Sequence, residues 1–299
     1  MTPPLGDALP KGIRARVLVC FFLSGARTMK MFRGILGLLA FLALLCPAHA
    51  AEIPYIHWPT VIQRGQELYQ AGRYREAEAI FQEALQVVER NRPDHPNVAV
   101  TLNYLSQVYR AQGRLAEAEQ AARRALEIQG RSLERTHPEV SVSLNNLAEI
   151  YRAQGKNADA EALAKQALEL QEKPWGGESP QAAVSLNNLA GANLAQGRLA
   201  EAEQLAKQAI SLNERLFGIN HIESATTIAI LAQVYQAQGR SAEAEATYKQ
   251  ALAIQESSLG SNHPAIADTL EKLAGLYKKL GRLRDAEQLE ARVKNIREK

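Results

Sequence analysis

Beyond residue 50 the chain has no cysteine, because Cys20 and Cys46 are its only two. Disulfide staples and thiol chemistry are therefore excluded from that stretch, whatever the redox state of its compartment. Also lacking there are the short motifs of catalysis and phosphate binding: it holds no GxGxxG, no GKS or GKT loop, no HExxH and no CxxC. No nucleophile with an adjacent base and no cluster of metal ligands is visible, so the sequence offers no catalytic residue, no metal site and no cofactor. Aromatics are sparse, at 6% of residues. The longest apolar run, GILGLLAFLALL over 34–45, falls short of the roughly 20 residues a bilayer span needs.

That run has another reading. Lys30 and Arg33 precede it, and Pro47 and Ala48-His49-Ala50 follow it. A basic n-region, an apolar h-region and a small-x-small ending describe a secretory signal cut after Ala50. The expected location is thus periplasmic or secreted, with no membrane span in the mature chain. A second apolar piece, VLVCFFLSG, lies upstream of Arg27, Lys30 and Arg33. Such an interrupted leader points to a true initiator at Met29 or Met31. Leu44 and Leu45 stand before Cys46, where a lipid-attachment site would want small residues.

Removing residues 1–50 takes six basic residues and one acidic residue from the chain's 35 and 32, leaving 29 against 31, a net charge of −2. The basicity of the full chain belongs to its leader. With no Lys/Arg-rich stripe beyond residue 50, nucleic acid is not an expected partner.

What the chain does have is a repeat. Gly72, Gly113, Gly155, Gly197, Gly239 and Gly281 succeed one another at intervals of 41, 42, 42, 42 and 42 residues. Five residues after each comes an alanine, Ala77 through Ala286, and then a glutamate, Glu78 through Glu287. Such a period signals a stacked array. In the second unit Leu102, Leu105, Ser106 and Tyr109 are spaced for one helix face, and Leu115, Ala118, Ala122, Ala125 and Ile128 for another. Alanine permits close helix approach, and Gly113 allows a turn that a residue with a Cβ would resist. The unit is a helical hairpin, and one hairpin cannot cover its own apolar face. The predicted fold is all-α: a right-handed superhelical solenoid of about six antiparallel hairpins. A lead-in at 51–58 precedes repeats near 59–98, 99–140, 141–182, 183–224, 225–266 and 267–299.

The pattern resembles the tetratricopeptide repeat. Gly65, Ser106, Ala148, Ala190, Ala232 and Ala274 match its small residue, and Tyr109, Tyr151, Tyr235 and Tyr277 its tyrosine. LNNLA in the first helix, EAE opening the second and NHP in the connection are most similar to the kinesin-light-chain subtype. The fourth unit departs from it: Asn193 stands at the tyrosine position and Gly191 lies in the same helix, which predicts looser packing there. In the last unit Glu290 and Lys294 make the final helix polar, as a solenoid end requires.

Three recurrent features read as structural. His95, His137, His221 and His263, with Ser179 in the same register, lie in the connections, three of the histidines directly before a proline. They mark helix starts that the polar residue can cap. Leu133, Trp175, Phe217 and Leu259 recur every 42 residues and are expected to tuck over hairpin ends. The EAE glutamates suit the positive N-terminal end of each second helix.

The resemblance implies a non-catalytic scaffold binding a protein or peptide along a concave groove lined by first helices. The alternative is a structural assembly factor held in an envelope complex, and the remote alternative is an enzyme or small-ligand carrier. The exposed stripe should fall nine or ten, six and three residues before each glycine. On that basis the candidate groove residues are Tyr104, Gln107, Arg110, Asn146, Glu149, Arg152, Asn188 and Gln233. In kinesin-light-chain-like repeats asparagines so placed hold peptide backbone, which carries over to Asn146 and Asn188. Asn145 and Asn187 could equally bridge neighbouring hairpins. Arg110 and Arg152 could take a partner's carboxylate.

Overall fold

The computed structural model describes residues 58–132, 137–175 and 177–298. The expected leader and the lead-in up to residue 57 lie outside the described residues, as do Leu133 and the Trp175 side chain. The described residues form α1 (Trp58–Gln70), α2 (Tyr74–Asn91), α3 (Pro96–Ala111), α4 (Leu115–Ser132), α5 (Pro138–Ala153) and α6 (Asn157–Trp175). They continue with α7 (Pro180–Ala195), α8 (Leu199–Phe217), α9 (Ile222–Ala237), α10 (Ser241–Leu259), α11 (Ala267–Lys279) and α12 (Leu283–Arg297). A 3-10 turn at Pro264–Ile266 leads into α11. Odd-numbered helices are first helices and even-numbered ones second helices of six hairpins.

Each connection is written in local chemistry. His95, His137, His221 and His263 sit in extended backbone just before a helical turn, and each imidazole Nδ1 accepts from the backbone N–H two residues on, at 3.1, 3.3, 3.4 and 3.2 Å. Ser179 does the same work before α7, accepting from Ala182 N–H at 3.1 Å. Proline follows at Pro96, Pro138, Pro180 and Pro264, where its missing N–H is no loss. Helices α3, α5, α7 and α9 therefore open three residues ahead of the repeat edges counted from the sequence. At the other end Gly113 takes φ +76°, and the N–H of Arg114 reaches back to the Tyr109 carbonyl at 2.9 Å, closing α3 so that α4 can return alongside it.

Small residues let the two helices of a hairpin approach. Ser106, Ala148, Ala190 and Ala232 are fully buried and Ala274 is nearly so. Gly65 faces Phe81, whose ring lies 2.4 Å from where a Cβ would stand, so any larger residue would force the ring away. First helices pack against one another in series, far more than second helices do. This asymmetry puts the first helices on the inner side of the array's curvature. The last helix is polar outside, with Glu290 bonded to Lys278 and Arg297 to Glu271. The first hairpin also meets the sixth: His263 Nε2 lies 2.9 Å from the Gln70 carbonyl oxygen, and Pro264 closes on Gly72.

Phe217 departs from the tucked position expected of it. It is 38% exposed, its ring stacked on His221 at 4.9 Å. The connection beyond it runs through Gly218 and Asn220, both at positive φ, and leaves Leu216 and Ile219 on the surface as well.

Candidate functional site

One register relation recurs along the α3, α5 and α7 stretch of the groove. The side chain three residues before the glycine of one first helix meets the side chain six before the glycine of the next. Between α3 and α5 this pairs Arg110 with Glu149 at 2.9 Å, both partly buried. The Glu149 carboxylate holds the Arg110 guanidinium charged, against the cost of its burial. Tyr69 and Tyr74 pack tilted beside them at 5.4 Å, and burial raises both phenols, that of Tyr74 to about 12. Tyr104 is half-buried, stacked on Phe81 at 5.1 Å and bonded to Gln66. Gln233, also half-buried, donates to its own helix at the Ala229 carbonyl, 3.3 Å away.

Between α5 and α7 the rule breaks. Arg152 stands where Arg110 does, but Gly191 replaces the glutamate, and the Arg152 Cδ lies 2.8 Å from the place a Gly191 Cβ would occupy. The Arg152 Nε is buried with no hydrogen-bond partner. Next to this site Glu149, Pro180, Val184, Asn187, Phe217 and Thr226 help line a cavity of about 270 Å³.

Asn146 and Asn188 correct the expected stripe. They are buried, at 9% and 1% exposure, and their amides point sideways into the neighbouring first helix rather than out into the groove. Asn146 Nδ2 donates to Asn103 Oδ1 at 3.4 Å and its Oδ1 accepts from Gln107 at 3.3 Å. Asn188 Nδ2 donates to the Asn145 carbonyl at 3.3 Å. Asn145 donates to the Gln181 carbonyl at 3.2 Å and accepts from Ser185 at 3.0 Å, while Asn187 accepts from Thr227 at 3.0 Å. The asparagines nine and ten before the glycine are thus a buried ladder under the groove. The part-exposed stripe is carried mainly by the positions six and three before it, with Gln63 and Tyr104 at nine.

A second ladder, on the second helices, was only half visible in the EAE motif. The glutamate closing that motif accepts from the residue after the next repeat's glycine: Glu78 from Arg114 at 2.8 Å, Glu119 from Lys156 at 3.3 Å, Glu203 from Arg240 at 3.1 Å and Glu245 from Arg282 at 2.8 Å, with Glu161 bonded to Arg198. Gln112, Gln154, Gln196 and Gln238 donate to the same carboxylates where they occur. Arg114, Arg240 and Arg282 also lie over the tyrosine of their own repeat, at 4.4, 4.1 and 4.1 Å from the ring centres of Tyr109, Tyr235 and Tyr277. The signal in the sequence was a basic residue after each of the six repeat glycines at constant distance from the motif. Carboxylates so held drop well below their usual range: Glu119 to about 2, through Gln154 first, and Glu161, Glu203 and Glu245 to about 2, each first through the lysine four residues on.

Among the described residues no group of three or more potential metal ligands comes together, and no described helix is long and apolar enough to cross a membrane.

Stacked helical hairpins with an inner row of first helices define a scaffold of the kind that serves protein–protein interaction. The tetratricopeptide repeat model matches residues 61–131, 123–173, 181–257 and 224–299, and the chain belongs to that family. Family members are generally non-catalytic scaffolds. No curated protein matches the chain. Among solved structures, one from Podosopora anserina described by its kinesin light chain nearly identical TPR-like repeats is 27% identical, covering 67% of this chain and 95% of that one with a TM-score of 0.51. BtubC (BKLC) from P. vanneervenii is 22% identical, covering 76% and 91% with a TM-score of 0.54. A Rap protein complexed with Competence and Sporulation Factor is 17% identical, covering 80% and 76% with a TM-score of 0.57. These last two share the fold.

Proposed function

We propose that this protein is an exported, non-catalytic adaptor that docks an extended segment of another polypeptide along its first helices. The observation that carries the reading is the file of part-exposed polar and aromatic side chains at Tyr104, Gln107, Arg110, Glu149, Arg152 and Gln233, backed by the buried asparagine ladder. A rigid floor with adaptable side chains above it can grip a polypeptide without reshaping itself. Export rests on the leader, whose cleavage after Ala50 would leave an N-terminus at Ala51.

Two measurements test this. The chain and a Gln107→Trp/Gln233→Trp variant, matched for helicity and melting, are cross-linked in their own envelope. Loss of a captured polypeptide from the variant alone is expected, and identical capture by both would overturn the groove. Mass spectrometry of the exported protein should start it at Ala51. A mass retaining residues 34–50 would contradict cleavage.

A further inference from the structure

The interruption of the register rule at Gly191 makes a site. Arg110 is already matched: its Nη2 lies 2.9 Å from the Glu149 carboxylate, which enters sideways from the next first helix. One repeat on, Arg152 has the same place and no carboxylate, because Gly191 has no side chain to supply one. Among the described residues the Arg152 side chain makes no ion pair or hydrogen bond, and its Nε is buried without an acceptor. A buried guanidinium N–H without a partner is costly, and an acceptor arriving from the groove would remove that cost.

Resting on the groove reading above, we propose that Arg152, whose side chain lies over Gly191, is a subsite for the side-chain carboxylate of an aspartate or glutamate in the docked polypeptide. The planar fork of arginine fits a carboxylate with two parallel hydrogen bonds. Glu149, one helical turn earlier on α5, adds negative charge nearby and so favours a single anionic charge over a phosphate dianion. The Arg110–Glu149 pair is the internal template. There the carboxylate is delivered by a side chain crossing between first helices, as side chains of an extended strand along the groove would be. A chain terminus would have to end at this one point.

The test uses a random dodecapeptide library displayed on phage and selected on the full chain. An acidic residue should be enriched at one position. A synthetic peptide from that pool, amidated at its C-terminus, should lose about tenfold in affinity on replacing that residue by its amide, and about tenfold on Arg152→Gln in the protein. The two losses should not add when combined. Gly191→Glu, whose Cβ moves the Arg152 side chain aside and whose carboxylate then offers Arg152 the partner that Glu149 gives Arg110, should cause the same loss with helicity retained. Selected peptides without an acidic position, or independent of Arg152, would overturn the subsite while leaving the groove standing. Binding lost on C-terminal amidation instead would overturn the side-chain assignment. If no peptide is selected, or if Gln107→Trp/Gln233→Trp leaves binding intact, the groove reading falls and the subsite with it.

Discussion

Asn145 joins α5 to α7 through the part-buried Gln181 carbonyl and through Ser185 and Asn188, which are shut off from water. Removing its amide takes away the bonds to the Gln181 carbonyl and from Ser185, whose hydroxyl keeps the Gln181 carbonyl as acceptor; at about 0.5–1.5 kcal/mol for each lost bond, Asn145→Ala should cost about 1–3 kcal/mol, read from a urea transition. An unmoved midpoint would contradict the ladder. The sequence showed these asparagines and their repeat spacing but left their direction open, because positions nine and ten before the glycine lie on the border between the groove and the inter-hairpin seam. Only the tilt of one first helix on the next decides the side, and that tilt is set by packing many residues away. The connection histidines were more legible, since a polar residue before proline at a helix start has one obvious task. His263 adds a pH dependence. Its Nδ1 accepts a hydrogen bond only when neutral, and burial lowers its pKa against the opposing effect of the Gln70 carbonyl. A lowered folded-state value means its contribution is complete above about pH 6.5 and is lost as pH falls through that lower value. His263→Gln should therefore show a smaller fall in melting temperature between neutral pH and about pH 5 than the wild type. An equal fall in both would refute the assignment.

At the level of elements, the hairpins were legible nearly to the residue because three local signals agree: the apolar spacing, the glycine turn and the polar-proline start. The ladder between second helices was not, since it joins residues 34 to 37 positions apart that only stacking brings together. Its carboxylates carry an acid dependence. With Glu119, Glu161, Glu203 and Glu245 held near 2, below their ordinary value of about 4.5, their contribution is full above that ordinary value and disappears as pH falls toward 2. Acid titration followed by circular dichroism should place the loss of helix in that interval, and a Glu161→Gln/Glu203→Gln variant should show a shallower dependence. The fourth hairpin packs as closely as its neighbours, against the looser packing expected of it, with Asn193 buried and donating to the Leu189 carbonyl at 2.8 Å. A depression of about 380 Å³ lined in part by Asn193, Arg198 and Leu205 opens where four of the other repeats place a tyrosine. Asn193→Tyr should give Arg198 a ring to lie over and raise stability by about 0.5–1 kcal/mol. A lower melting temperature would show that the depression is needed for packing.

Over the whole array, local repeats sum to a closure that no single repeat specifies. The first hairpin's Gln70–Gly72 turn touches His263 and Pro264 of the sixth, so labels at Ala71 and Asn262 should lie closer than labels at Ala71 and Asn220. The reverse order would mean that the two hairpins stand apart in solution. The groove is the central claim, and the most direct measurement is site-specific photo-cross-linking in the native envelope. A photoreactive residue placed at Gln107 or Gln233, on first helices, is compared with one at Gln120 or Gln204, exposed on second helices. The account predicts a partner polypeptide joined at the first pair of positions and absent from the second. Cross-links confined to Gln120 and Gln204 would contradict it and move the working surface to the outer face.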